Sequence, residues 1–276
     1  MTSFVQRFYI LNVFIAFMLL IATKLWPESR ILLKATIENG PYEVATALIL
    51  LFGGIALIIK AIANKAPKNL LTLAQVSLGF LCIVGAGEEI SWGQHWLQFE
   101  SSDFFQQHNQ QQETNLHNLM DPVLFSTLIN IVIYGGFTLI PFLHWAFPNN
   151  PMSQKLQEKK LLTFMPGIRV AIFLMLANCF HGWLIPATYS DSIVLICCWL
   201  LGCCVMFRQR TRVESFDWFA MGFCIAGFVI CLLVADIFKH ANLQYEIREC
   251  FTAFVIVVWA LGWKELDQPA IPQSDP

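Results

Sequence analysis

Charge is scarce in this chain: 13% of its 276 residues are Asp, Glu, Lys or Arg, against 57% hydrophobic. A soluble domain draws about a quarter of its residues from the charged types. An ordinary water-soluble fold is therefore excluded, and a bilayer is the natural solvent. The few charges nearly cancel, 17 basic against 19 acidic, which leaves no positive excess to attract nucleic acid. Cys-x-x-Cys spacing is missing too. Eight of the nine cysteines lie inside apolar runs and Cys250 at the edge of one, so they read as small packing residues rather than a disulfide or metal framework. A His-Glu-x-x-His helix, a Gly-rich phosphate loop and a Ser-His-Asp order are likewise absent, so no motif names a reaction.

Long apolar runs are what the sequence has in plenty. A spanning helix needs about 20 mostly apolar residues. Eight runs approach that length: Phe8 to Thr23, Glu43 to Ala63, Leu70 to Trp92, Val123 to Phe147, Ile168 to Ile185, Ser190 to Phe207, Phe216 to Phe238 and Ile247 to Trp263. The expected fold is all-α, a polytopic membrane protein of about eight transmembrane helices forming one domain over residues 1–266. A polar, proline-rich, disordered tail follows at 267–276. The first run leads into Lys24-Leu-Trp-Pro without a small-x-small cleavage site, so it is expected to stay as an uncleaved span. The last run carries Arg248 and Glu249 in its first turn, and its purely apolar stretch is short.

Lys and Arg collect in cytoplasmic loops. With both termini cytoplasmic, twelve of the seventeen basic residues fall on the inner side, and the long loop from Gly93 to Pro122 carries none. That long loop is accordingly expected on the outer side of the membrane. The first outer loop, with Lys24, Arg30 and Lys34, fits least well.

Ionisable groups near spans are costly, and each is a candidate for function. Glu88 and Glu89 close the third run in Gly85-Ala-Gly-Glu-Glu-Ile-Ser-Trp-Gly-Gln-His-Trp. Neighbours on a helix point about 100° apart, so these two cannot face one ligand while that turn stays helical, unless it breaks at Gly87 or Gly93. In the outer loop, Glu113 and His117 are spaced i, i+4, which on a helix suits two metal ligands or a carboxylate orienting an imidazole. His181, near Asn178 and Pro186, either bonds a neighbouring helix or ligates. Asp236 and His240 repeat the i, i+4 spacing, and Glu246 and Glu249 stand at i, i+3 at the start of the last run. There, capping of a helix dipole and pairing with Arg248 compete with a functional role. Glu38 and Glu43 flank the Gly40-Pro41 turn before the second run. All of these, with His95, fall on the outer side of a topology derived without them. Trp92, Trp96, Trp145, Trp183, Trp259 and Trp263 lie near run ends, as interfacial belts do.

At Gly87-Glu-Glu-Ile-Ser-Trp-Gly-Gln, Glu113-Thr-Asn-Leu-His-Asn and Glu38-Asn-Gly-Pro-Tyr-Glu, the sequence resembles a family of uncharacterised bacterial multi-span membrane proteins. The likeness covers roughly the first half of the chain, with an echo at Glu246 to Glu249. It implies a multi-span fold and brings no activity with it. In that family an Arg commonly follows the Gly-Gln pair, where His95 stands here. Glu88, Glu89, Glu113 and His117 are therefore the expected heart of a site.

The leading expectation is a membrane enzyme acting on a lipid or lipid-linked substrate from an outward-facing site. Glu88, Glu89, Glu246 and Glu249 are its candidate acid-base groups, and Glu113, His117, His181, Asp236 and His240 its candidate ligands for zinc, manganese or magnesium. A cation- or proton-coupled transporter and a non-catalytic scaffold are the rivals. The near absence of acids in the inner halves of the runs argues against a continuous proton relay.

Overall fold

A computed structural model of the chain describes residues 3–26, 28–29, 40–63, 70–109, 111–159, 161–180, 189–210, 213–233 and 241–263. Glu38, His181, Asp236, His240 and the tail at 267–276 lie outside the described residues, as does the His117 side chain. Regular structure is entirely helical among the described residues. In order come α1 (Ser3–Leu25), α2 (Pro41–Ala63) and α3 (Leu70–Glu89), then a polar loop holding the short α4 (Gln94–Leu97) and α5 (Asp103–His108). Next, α6 (Pro122–Asn130) runs through a π-helical stretch, Ile131–Leu139, into α7 (Ile140–Ala146). The remainder is α8 (Pro151–Glu158), α9 (Ile168–Asn178), α10 (Tyr189–Arg208), α11 (Ser215–Leu233) and α12 (Ala241–Leu261).

Among the described residues, five segments are long and apolar enough to cross a membrane: Ser3–Thr23, Pro41–Ala63, Leu70–Glu89, Thr127–Ala146 and Leu161–Asn178. They leave Phe14, Phe52, Ile59 and Phe80 exposed, the side chains a lipid solvent favours. The three later runs are also helical, as α10, α11 and α12. Not every cysteine is a packing residue: Cys197 and Cys204 are exposed, because each doublet directs one thiol inward and one outward as the helix turns.

Local chemistry explains the breaks. The Asp121 carboxylate caps α6 by accepting from the Leu124 N–H at 2.9 Å, with Pro122 in the first turn, where its missing N–H costs nothing. Further along, Pro141 cannot donate to the preceding turn, and the ladder widens to π form just before it. The predicted span from Val123 to Phe147 is therefore one helical run with a loosened middle.

From Val170 to Ala177, α9 is apolar on every side, and Ala171 to Ala177 are all fully buried at the centre of the larger core. Tyr9 of α1 stacks on Phe173, with ring centroids 4.7 Å apart, and donates its hydroxyl to the Phe173 carbonyl at 2.8 Å. At the start of α9, Arg169 forks onto the Asp217 carboxylate of α11.

Helices α2, α3 and α12 form the unit that positions the polar groups. Close approach of α2 and α3 needs the pair Gly54 and Gly79: a Cβ on Gly54 would stand 2.5 Å from the Gly79 carbonyl, and one on Gly79 would stand 2.8 Å from that of Gly54. Lys60, near the end of α2, donates to the carbonyls of Leu261 and Trp263 at 2.7 and 2.6 Å, capping α12 with a cation where its dipole is negative. Helices α2 and α12 thus run side by side in one direction. Their carboxylates, Glu43, Glu246 and Glu249, stand toward the end opposite Lys60.

Candidate functional site

The site begins where α3 stops. The helix runs through Gly87 to Glu89, and the chain then turns through Ser91 and Trp92 with φ of 46° and 54°, followed by Gly93 at 81°. Left-handed backbone at a non-glycine residue costs about 1–3 kcal/mol and persists only where surrounding contacts over-determine it. Those contacts are specific. Trp92 folds back over Gly87, where a Cβ would come within 2.8 Å of its ring, and donates its indole N–H to Glu88 Oε1 at 2.8 Å. The other Glu88 oxygen accepts the Leu116 N–H and so ties the following loop to the end of the helix.

With the turn fixed, Ser91, Gln94 and His95 face the stretch from Gln112 to Asn115. One Glu113 oxygen accepts from the Ser91 hydroxyl and from the Asn115 amide, the latter at 3.1 Å. The other meets His95 Nε2 at 2.7 Å. Asn115, 1% exposed, also donates to Ser91 Oγ at 3.0 Å, while Asn109 donates to the Asn115 carbonyl and side-chain oxygen at 2.9 and 2.8 Å. Gln94 Oε1 accepts the Thr114 N–H at 2.8 Å and the Ser101 hydroxyl at 3.1 Å. Ser91, Ser101, Asn109 and Asn115 are all buried and hydrogen-bonded, the condition under which a polar network rigidifies its surroundings. The result is a carboxylate held on three sides and an imidazole anchored through Nε2. The His95 side chain is 38% exposed, and its Nδ1 makes no hydrogen bond among the described residues.

Glu89 looks elsewhere. One helical step from Glu88, it lies within electrostatic range of Glu249, Glu246 and Glu43. Glu43, Glu89 and Glu246 are half-buried and Glu249 is exposed. Arg248 acts on Glu249 from the same helix. Capping does not explain Glu246 and Glu249, because α12 already runs from Ala241 and both acids stand beyond its first turn. Glu43 does occupy the first turn of α2, where an acid suits the dipole.

The sequence-predicted residues thus divide. Glu88 and Glu113 each tie the loop, through separate partners, and Glu89 lies within electrostatic range of Glu43, Glu246 and Glu249. The helix that would put Glu113 and His117 on one face is not formed: residues 113–116 are irregular and a 3₁₀ turn starts only at His117. The physical reason is local competition. Asn109 Oδ1 takes the Glu113 N–H at 3.3 Å, and Ser91 and His95 take its carboxylate. Among the described residues, no three His, Cys, Asp or Glu side chains are grouped to hold a metal ion. Residue type and spacing do not single out Ser91, Gln94, Asn109 and Asn115, although Ser91, Gln94 and Asn115 stand in the motifs that begin at Gly87 and Glu113, and their amide and hydroxyl groups are the available signal. No family model, curated protein or solved structure matches the chain.

Proposed function

We propose that the chain is a membrane enzyme performing general acid-base chemistry on a lipid or lipid-linked substrate, with His95 as the base and Glu113 as the group that orients it. The observation that supports this is the clamped Glu113 carboxylate with His95 on its open side. A carboxylate hydrogen-bonded to one imidazole nitrogen fixes the tautomer and favours the imidazolium that forms when the other nitrogen accepts a proton. His95 Nδ1 then takes the proton of a water or a substrate hydroxyl, and the Glu113 charge balances it. Such a step contributes about 10²–10⁴-fold to a rate. Exposed Trp92, Trp96, Leu97 and Phe104 around the loop suit a seat at the headgroup level of a bilayer. Eight spans in a bacterial inner membrane, both termini cytoplasmic and the loop outside, complete the reading. The concentration of basic residues on the opposite side supports it.

The test is a lipid and lipid-linked saccharide profile of host membranes without the protein, with wild type, and with His95→Asn or Glu113→Gln at equal abundance. Wild type is expected to shift the profile and both variants to leave it at baseline. A shift of wild-type size with His95→Asn would overturn the assignment.

The four carboxylates of α2, α3 and α12 favour a second reading, proton- or cation-coupled transport. Proteoliposomes with an entrapped pH dye decide it: a proton flux in wild type that Glu89→Gln abolishes and His95→Asn spares would replace the enzyme reading.

A further inference from the structure

We propose that the cavity of about 330 Å³ between α1, α2 and α12 is the seat of a lipid hydrocarbon tail. The inference rests on the lipid-substrate reading above and names where such a molecule is held. The volume falls in the range of about 300–1,000 Å³ usual for small-molecule sites. Phe8, Tyr42, Ile49, Phe251 and Phe254 supply most of the wall, with Asn12 as one polar member. The mostly apolar wall suits hydrocarbon better than water, which needs two to four polar partners. The Asn12 amide already donates to the Phe8 carbonyl at 2.7 Å, and the hydroxyl of Tyr9 is committed to the Phe173 carbonyl. Around the cavity, Phe4, Leu11, Leu48 and Phe52 are exposed on helices that are long and apolar enough to span a bilayer, so hydrocarbon surrounds it.

The position gives the cavity its interest. Cys250, in its wall, is within electrostatic range of Glu89 and Glu246, and Tyr42 immediately precedes Glu43. A tail lodged here brings its headgroup toward the end of α3, where Glu88 and Glu89 diverge and the loop holding Glu113 and His95 begins.

The test uses the full chain in liposomes containing a phosphatidylethanolamine with a diazirine in mid-acyl chain. After irradiation, adducts are mapped by mass spectrometry. Adducts are expected on Tyr42, Phe251 or Phe254, lost in Ala45→Trp, whose indole fills the cavity, while adducts on exposed Phe52 and Phe80 persist. Labelling of Phe52 and Phe80 alone, or cavity labelling unchanged by Ala45→Trp, would overturn the proposal. Ile49→Trp, from a different position in the same wall, replaces Ala45→Trp if the latter lowers the thermal midpoint. His95→Asn keeps the cavity adducts, so failure of the acid-base reading shows in the lipid profile and not here.

Discussion

Glu88 and Glu89 adjoin in the chain and serve different neighbours: Glu88 receives the Trp92 indole at 2.8 Å and the Leu116 main chain, whereas Glu89 lies within electrostatic range of Glu249, Glu246 and Glu43. Their variants should therefore separate. Glu88→Ala is expected to speed amide hydrogen exchange at Leu116 by about tenfold or more, since a hydrogen bond to a charged group contributes about 1.5–3 kcal/mol. Glu89→Ala should leave that exchange unchanged. Equal acceleration in both would show that the loop is not tied through Glu88.

Asn115 links three members of the loop network while almost wholly buried. Asn115→Ala removes donors from Ser91 and Glu113 and leaves the Asn109 amide short of an acceptor. A loss of about 1–3 kcal/mol is expected, read as a lower thermal midpoint in detergent. A midpoint within error of wild type would count against the network as a stabilising unit.

The contact of α2 with α3 predicts a contrast between glycines. Gly79→Val places its Cβ 2.8 Å from the Gly54 carbonyl, a backbone atom that cannot step aside, whereas a Cβ at Gly136 meets nothing within 4 Å. Overpacking of this kind costs about 1–3 kcal/mol. Thermal melting should therefore drop for Gly79→Val and hold for Gly136→Ala; the reverse order would refute the close approach.

Arg169 and Asp217 make a forked pair, with the second arm at 2.9 Å and Asp217 buried. Without Asp217, Arg169 keeps only the exposed Glu214 carboxylate at 3.1 Å among the described residues, and loss of the buried partner costs about 3 kcal/mol. Asp217→Asn is expected to destabilise the protein. Arg169→Lys should restore little, because an ammonium cannot supply two parallel donors. A Lys variant as stable as wild type would show that charge alone, and not the fork, holds α9 to α11.

Much of the fold was legible because apolar length is a one-dimensional signal: five of the expected runs reappear as helices able to cross a membrane, and the three later ones are also helical. The divergence of Glu88 and Glu89 was legible too, since it follows from helical geometry alone. The backbone between Glu113 and His117 was not, because their spacing assumes a helix and the side chains of Asn109, Ser91 and His95 claim Glu113 groups instead. His95 was discounted for standing where the resembling family has Arg, yet either side chain can donate to Glu113. Sequence alone shows the donor and not what it meets. The approach of Glu43, Glu89, Glu246 and Glu249 depends on α2 packing against both α3 and α12, which brings together residues about 160 to 200 apart in the chain.

A double-mutant cycle between His95 and Glu113, read on the lipid change that wild type produces, tests the central claim most directly. If the two act as one acid-base unit, His95→Asn, Glu113→Gln and the double variant lose the activity to the same extent, and His95→Arg, which keeps a donor to Glu113 without a usable base, keeps wild-type stability and loses it as well. Full activity in His95→Arg, or losses that simply multiply in the double variant, would contradict the account.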